Sequence, residues 1–256
     1  MTPYTEKAGG QTRPPGGRAQ PPTAIPRTAK RQSRGLWMIP LAAIVAAFLS
    51  HQVPPYFSLN PTRSRIPLQF PLHYWLIVGH VVFGSVSLVT VVLQVWPWLR
   101  RRHPAVHRWS GRAYVFAGAV PSAVLALSML PVSYPAGRIG VAMSAIFWST
   151  SAVIGWVKLR QHRYAEHRRW MLYSFAIVWG QAVWGYVIGA GWHAWAPWNV
   201  NFNHVVEAAR WVGWVCNLIA VQWWLERTAG RDLGLPPQTA RLPRPRDFPA
   251  GEVQTR

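Results

Sequence analysis

The chain has 256 residues, half of them apolar, and carries 27 Lys or Arg against 7 Asp or Glu, for a formal charge of +20. A single cysteine excludes a disulfide scaffold, and the apolar content excludes a disordered or fibrous chain. So large a positive charge points first to nucleic acid. The basic residues, however, lie in tails and at the edges of apolar runs, which speaks against that reading.

Residues 1–35 are rich in Pro, Gly, Thr and Arg and nearly free of large aliphatic side chains. Such a segment buries too little surface to offset its ordering entropy, so a disordered tail is expected. Six apolar runs follow, at about 36–53, 72–99, 113–133, 139–159, 170–192 and 205–224. Each approaches or exceeds the ~20 residues that a helix needs to cross a ~30 Å hydrocarbon layer. The first is the shortest and contains Pro40. No small-residue cleavage site follows Ala47-Phe48-Leu49, so it reads as a retained anchor rather than a secretory signal. Residues 227–256 form a second basic, Pro-containing tail. The fold class is therefore all-α, a polytopic integral membrane protein with six transmembrane helices.

Charge gives the orientation. The two tails and the connections at 100–112 and 158–169 hold 23 of the 27 basic residues, while the opposite connections hold only Arg63, Arg65 and Arg138. Arg210 falls inside the last run. Basic loops stay in the cytoplasm, so both termini are placed there. Trp37, Trp96, Trp98, Trp109, Trp156, Trp170, Trp223 and Trp224 then mark the inner boundary, and Trp75, Trp192, Trp195 and Trp198 the outer one. Amphipathic indoles favour that depth.

The two basic loops resemble each other. Trp96, Leu99, Arg100, His107 and Arg108 recur sixty residues on as Trp156, Leu159, Arg160, His167 and Arg168. This spacing implies a duplicated helical hairpin, with spans two to five forming a central four-helix bundle.

Three motifs stand out: His80-Val-Val-Phe-Gly84 with Gln94 beyond it, His107-Arg108-Trp-Ser-Gly111-Arg112-Ala-Tyr114, and His167-Arg168-Arg-Trp170-Met171. On these the chain resembles a bacterial family of predicted multi-pass membrane proteins that carry a domain of unknown function, over roughly residues 72–190. The resemblance implies a topology and an inner-membrane location, and no reaction. This chain has Tyr173 where the family pattern has a basic residue.

His107 and His167 are the leading site candidates, at matching depth and in repeat-related positions. Two imidazoles on facing helices suit a b-type haem, with its propionates on Arg108, Arg112, Arg168 and Arg169. They equally suit a quinone headgroup. Alternatively, each His-Arg pair anchors a helix end to lipid phosphates. His80 is the deep ionisable residue and so a functional candidate by default. Its possible partners for a haem are Met129 and Met143, and its plainer role is a neutral imidazole bonded to a carbonyl or serine across the bundle. Gly84 beside it would admit a close neighbour. His51, His73, His193 and His204 gather at outer span ends, with Glu207 and Arg210 expected to pair; no resident metal is assigned to them. Phosphate-binding glycine loops, H-E-x-x-H and C-x-x-C-H motifs are missing. The sequence thus reads as a His-based membrane redox or cofactor-binding protein, in contact with the bilayer, anionic headgroups and a membrane redox partner. A transporter or small-molecule permease, and a structural or regulatory protein binding anionic lipid or a partner, are the other readings.

Overall fold

A computed structural model describes residues 38–188, Gly191 and 201–229, and the regular structure among these residues is entirely helical. The segments 1–35 and 230–256, the positions Trp37, Trp192, Trp195 and Trp198, and His193 lie outside the described residues. In chain order the helices are α1 (Met38–Gln52), α2 (Pro54–Phe57), α3 (Pro71–Val95), α4 (Pro97–Arg102), α5 (Pro104–Ser128), α6 (Arg138–Arg160), α7 (Tyr164–Ile188) and α8 (Phe202–Arg227). Both α5 and α7 contain one wide π-helical turn, at Val115–Ala119 and Gly180–Trp184.

Four helices, α3, α5, α6 and α7, are long and apolar enough to cross a membrane. The apolar α1 has only 15 residues. Although α8 has 26 residues, Glu207, Arg210, Asn217 and Gln222 interrupt it, and it is not among the four. Length and composition therefore support four spans where the apolar runs suggested six.

The boundaries differ for local reasons. The expected run 72–99 stops at Val95, because Pro97 lacks an N–H and drives Trp96 into an extended conformation. The run at 113 begins nine residues earlier, at Pro104, which takes the first helical position favoured by proline. The basic connection at 100–112 is thus mostly helical. Likewise the run at 170 begins at Tyr164, so its charged first turn is part of the helix.

Two hairpins result, α3 with α5 and α6 with α7, and α8 packs against α7. Their shared core includes Leu88, Val91, Tyr114, Ala119, Trp148, Ala152, Ile177 and Trp214. In lipid, helices gain little from hydrophobic exclusion of one another, so close backbone contact and interhelical hydrogen bonds matter more. At the α7–α8 crossing a Cβ on Gly180 would lie 2.5 Å from Trp214 Cα, and one on Gly213 would lie 2.6 Å from Gly180 O. Only glycine permits that approach.

A buried polar knot ties three helices. The fully buried Tyr114 hydroxyl lies 2.6 Å from Ser174 Oγ and accepts a hydrogen bond from Trp148 Nε1 at 3.0 Å. Ser174 Oγ in turn lies 3.3 Å from the Trp148 carbonyl. These bonds fix α5, α6 and α7 in register.

Candidate functional site: a histidine and arginine cluster at one end of the bundle

His107 and His167 each occupy the fourth position of their helices, after His103 and Arg163 end the preceding turns. Their own N–H groups close the first helical turns onto the His103 and Arg163 carbonyls, at 3.1 Å and 2.9 Å. Both imidazoles are half-buried. The charges of Arg100 and Arg108 and the His167 ring act on His107, and Arg100 also acts on Arg168. The fold therefore gathers Arg100, His107, Arg108, His167 and Arg168 at one end. The nearest acid in sequence, Glu166, is taken up by ion pairs to Lys158, at 2.9 Å, and to Arg163.

The two imidazoles are held differently. His167 Nδ1–H donates to the Gly155 carbonyl at 2.8 Å, which leaves Nε2 with its lone pair. Such a bond orients a histidine that ligates through its other nitrogen. A Cβ on Gly155 would meet Met171 Sδ at 2.7 Å, so glycine here leaves room for the Met171 side chain against α6. His107 Nδ1 is buried without a hydrogen-bond partner among the described residues. Its backbone carbonyl instead accepts from Gln94 Nε2 at 2.6 Å, and the same amide donates to Ser110 Oγ at 2.7 Å. In kind, two imidazoles beside guanidiniums fit a haem or a quinone. The His167 ring is fixed by its bond to Gly155, whereas His107 has a nitrogen still lacking a partner among the described residues.

The remaining candidates lie apart. The Arg112 guanidinium sits 4.8 Å over the Trp109 ring. Arg169 turns toward α8, its Nε donating to Tyr173 Oη at 2.6 Å. Arg168, a member of the cluster, lies 5.0 Å over the Trp224 ring. His80 faces α5 within the bundle. Its Nδ1–H donates to the Ser122 carbonyl at 2.9 Å, and Ser122 Oγ lies 3.1 Å from the same nitrogen. A Cβ on Gly84 would lie 3.4 Å from Ser122 Oγ, so this glycine does face a close neighbour. Thirteen residues of α3 separate His80 from position 94, about 20 Å along a helix, so His80 belongs to a different level from the cluster.

The other described histidines, His51, His73 and His204, are not brought together. Arg65 donates to His51 Nε2 at 2.8 Å, Gln69 N donates to His73 Nδ1 at 3.3 Å, and His204 is exposed. Among the described residues no three His, Cys, Asp or Glu side chains are grouped to hold a metal ion. The expected Glu207–Arg210 pair does not form. Glu207 instead accepts from the backbone N–H of Gly137, in the left-handed turn before α6, and from Trp211 Nε1 at 2.9 Å. An uncapped helix start competes well for a nearby carboxylate.

Sequence spacing did not reveal Gln94 as the support of His107, nor the Tyr114 knot. The partners stand 13 and 60 positions apart. The presence of both Gln94 and Tyr114 in the recognised motifs was the one available signal.

No curated protein and no solved structure matches the chain. A family model described as a predicted membrane protein (DUF2306) matches residues 77–225. It covers His80, the whole cluster and the knot, and it extends beyond the expected limit near 190 through almost all of α8. With more than half of its length matched, the chain belongs to the DUF2306 family of predicted membrane proteins.

Proposed function

We propose that this membrane protein crosses the bacterial inner membrane six times with both ends in the cytoplasm, and that its cytoplasmic end binds a redox-active cofactor. The asymmetry of 23 basic residues against three supports the orientation. The added spans are α1 and α8, and the recurrence of His-Arg at the fourth position of α5 and α7 supports a duplicated hairpin. One observation carries the functional reading: two repeat-related imidazoles share an end with Arg100, Arg108 and Arg168. Half-buried imidazoles gathered with guanidiniums at one end of a membrane bundle suit a working site.

A b-type haem or a quinone suits this donor set. His167 and His107 would hold a haem iron, or hydrogen-bond quinone oxygens, and Arg108 and Arg168 would neutralise acidic groups. The group itself would supply electron transfer; the chain supplies orientation and positive charge, and His107 Nδ1 has no protein partner among the described residues. The test is an absorption spectrum and a solvent extract of full-length protein purified from cells replete in haem and quinone. A haem band or stoichiometric quinone is expected, and it should vanish in His107→Ala and His167→Ala. A colourless, quinone-free preparation overturns the reading.

A second reading, attachment to anionic headgroups, is favoured by guanidiniums lying over indoles at helix ends. These are Arg112 over Trp109, Arg168 over Trp224, and Arg227 over Trp223 at 4.5 Å. Cation–π contact holds such a charge at interfacial depth. In that case the two histidine variants retain full association with anionic vesicles, and substitutions of the arginines do not.

A further inference from the structure

A groove of about 490 Å³ runs between α6, α7 and α8, and no histidine lines it. Its deeper wall is apolar, formed by Phe147, Ile177, Leu218 and Ile219. Its other end is flanked by Trp170 and Trp223 and carries Tyr173, Gln222 and Glu226. Glu226 is one residue from the end of α8, and Leu218 is eight residues further in, about 12 Å along the helix. The groove is therefore polar at a helix end and apolar toward the middle. Ile219, Trp223 and Phe147 are exposed, so it opens sideways rather than into the bundle. In a membrane protein a sideways opening meets lipid.

Both signs of charge stand at the polar end: Glu226 lines it, and Arg169 borders it through Tyr173 and Gln222. Arg169 Nε donates to Tyr173 Oη, and Arg169 Nη2 reaches Gln222 Oε1 at 3.4 Å. The Tyr173 hydroxyl also donates to Gln222 Oε1. Gln222 Nε2 then donates to Glu226 Oε1 at 2.5 Å. A guanidinium and a carboxylate thus stand on either side of one side-chain amide. Neither forms an ion pair among the described residues, where both ion pairs belong to Glu166.

We propose that this groove binds one phospholipid with a zwitterionic, amine-bearing headgroup. The acyl chain lies along Phe147, Ile177, Leu218 and Ile219. The headgroup phosphate meets Arg169 and the ammonium meets Glu226, with Gln222 between them. Charge complementarity selects this class. A purely anionic headgroup would place negative charge against Glu226, and a neutral quinone would leave both charges unanswered. The proposal does not rest on the cofactor reading, since neither His107 nor His167 lines the groove.

The test uses delipidated full-length protein in detergent, with bound lipid counted by native mass spectrometry. The probes are phosphatidylethanolamine and phosphatidylglycerol with the same acyl chains, and a long-tailed quinone as competitor. Phosphatidylethanolamine should be retained about fivefold better, the selectivity that one boundary charge pair can give. Glu226→Gln should abolish that preference while leaving total binding similar, and Arg169→Gln should weaken both lipids. Ile219→Trp, an exposed position that tolerates volume, should fill the groove and remove both. Equal or better retention of phosphatidylglycerol, an unchanged preference in Glu226→Gln, displacement by the quinone, or no lipid adduct would each overturn the proposal.

Discussion

The two hairpins present the same His-Arg pair at the same helical position but support it by opposite means. Between α3 and α5 lie eight residues that include the proline-broken α4, and the end is secured by a side chain, Gln94, bonded to the His107 carbonyl and Ser110. Gly111 makes room for that amide, because a Cβ there would lie 3.3 Å from Gln94 Nε2. Between α6 and α7 lie only residues 161–163, with His162 in a left-handed conformation. There the imidazole itself is the brace, bonded to the Gly155 carbonyl. The long turn thus frees its histidine by assigning the structural work to a glutamine. The tight turn uses its histidine for that work. Similar sequence at two positions therefore does not mean similar roles, and His107 is the member with an unanswered nitrogen.

Three substitutions grade this contrast. The largest effect is expected from Tyr114→Phe, which breaks the knot shared by both hairpins. It leaves the buried Trp148 N–H and Ser174 hydroxyl short of a partner, at a cost of about 1–3 kcal/mol. The midpoint of thermal unfolding in detergent should fall, and an unchanged midpoint would show that the knot does not join the hairpins. Gln94→Leu should come next, at about 1–2 kcal/mol. Its distinguishing sign is local: hydrogen exchange should quicken at the start of α5 and not at the start of α7. Faster exchange at both ends would erase the difference between the hairpins. Glu166→Gln is expected to do least, since its bonds to Lys158 and Arg163 are solvent-exposed and such pairs contribute little. A midpoint indistinguishable from the parent chain is the expected result, and a clear drop would mean the tight turn depends on that acid.

Much of the helical layout was legible because lipid-spanning helices are apolar over long runs. The run at 139–159 matches α6, Arg138–Arg160, to one residue at each end. Where the runs misled, the cause was polar residues inside helices. The segment from Pro104 to Arg112 is charged yet helical, and the hydrophobic pattern has no way to announce it. The family model's reach through α8 was likewise unreadable from motifs that stop at Met171. At the site, repetition exposed His107, His167 and their arginines. It could not show that Arg168 lies over Trp224, because that ring comes from another helix. Nor could it show that Glu207 would cap α6 rather than meet Arg210, since that choice follows from how α8 lies against the Gly137 turn.

The wide turns in α5 and α7 bear on rotational phase. A π turn accommodates one extra residue without unravelling its helix, and each residue of an α-helix advances the azimuth by about 100°. In α5 the turn at Val115–Ala119 separates the His107 level from Ser122, the partner of His80. The two halves of that helix are therefore phased independently, each set by its own neighbours. Deleting a single residue within the wide turn would return it to an ordinary α turn, so that Ser122 would still face His80 while His107 stayed in place, whereas a deletion on either side of the turn would cost that phase.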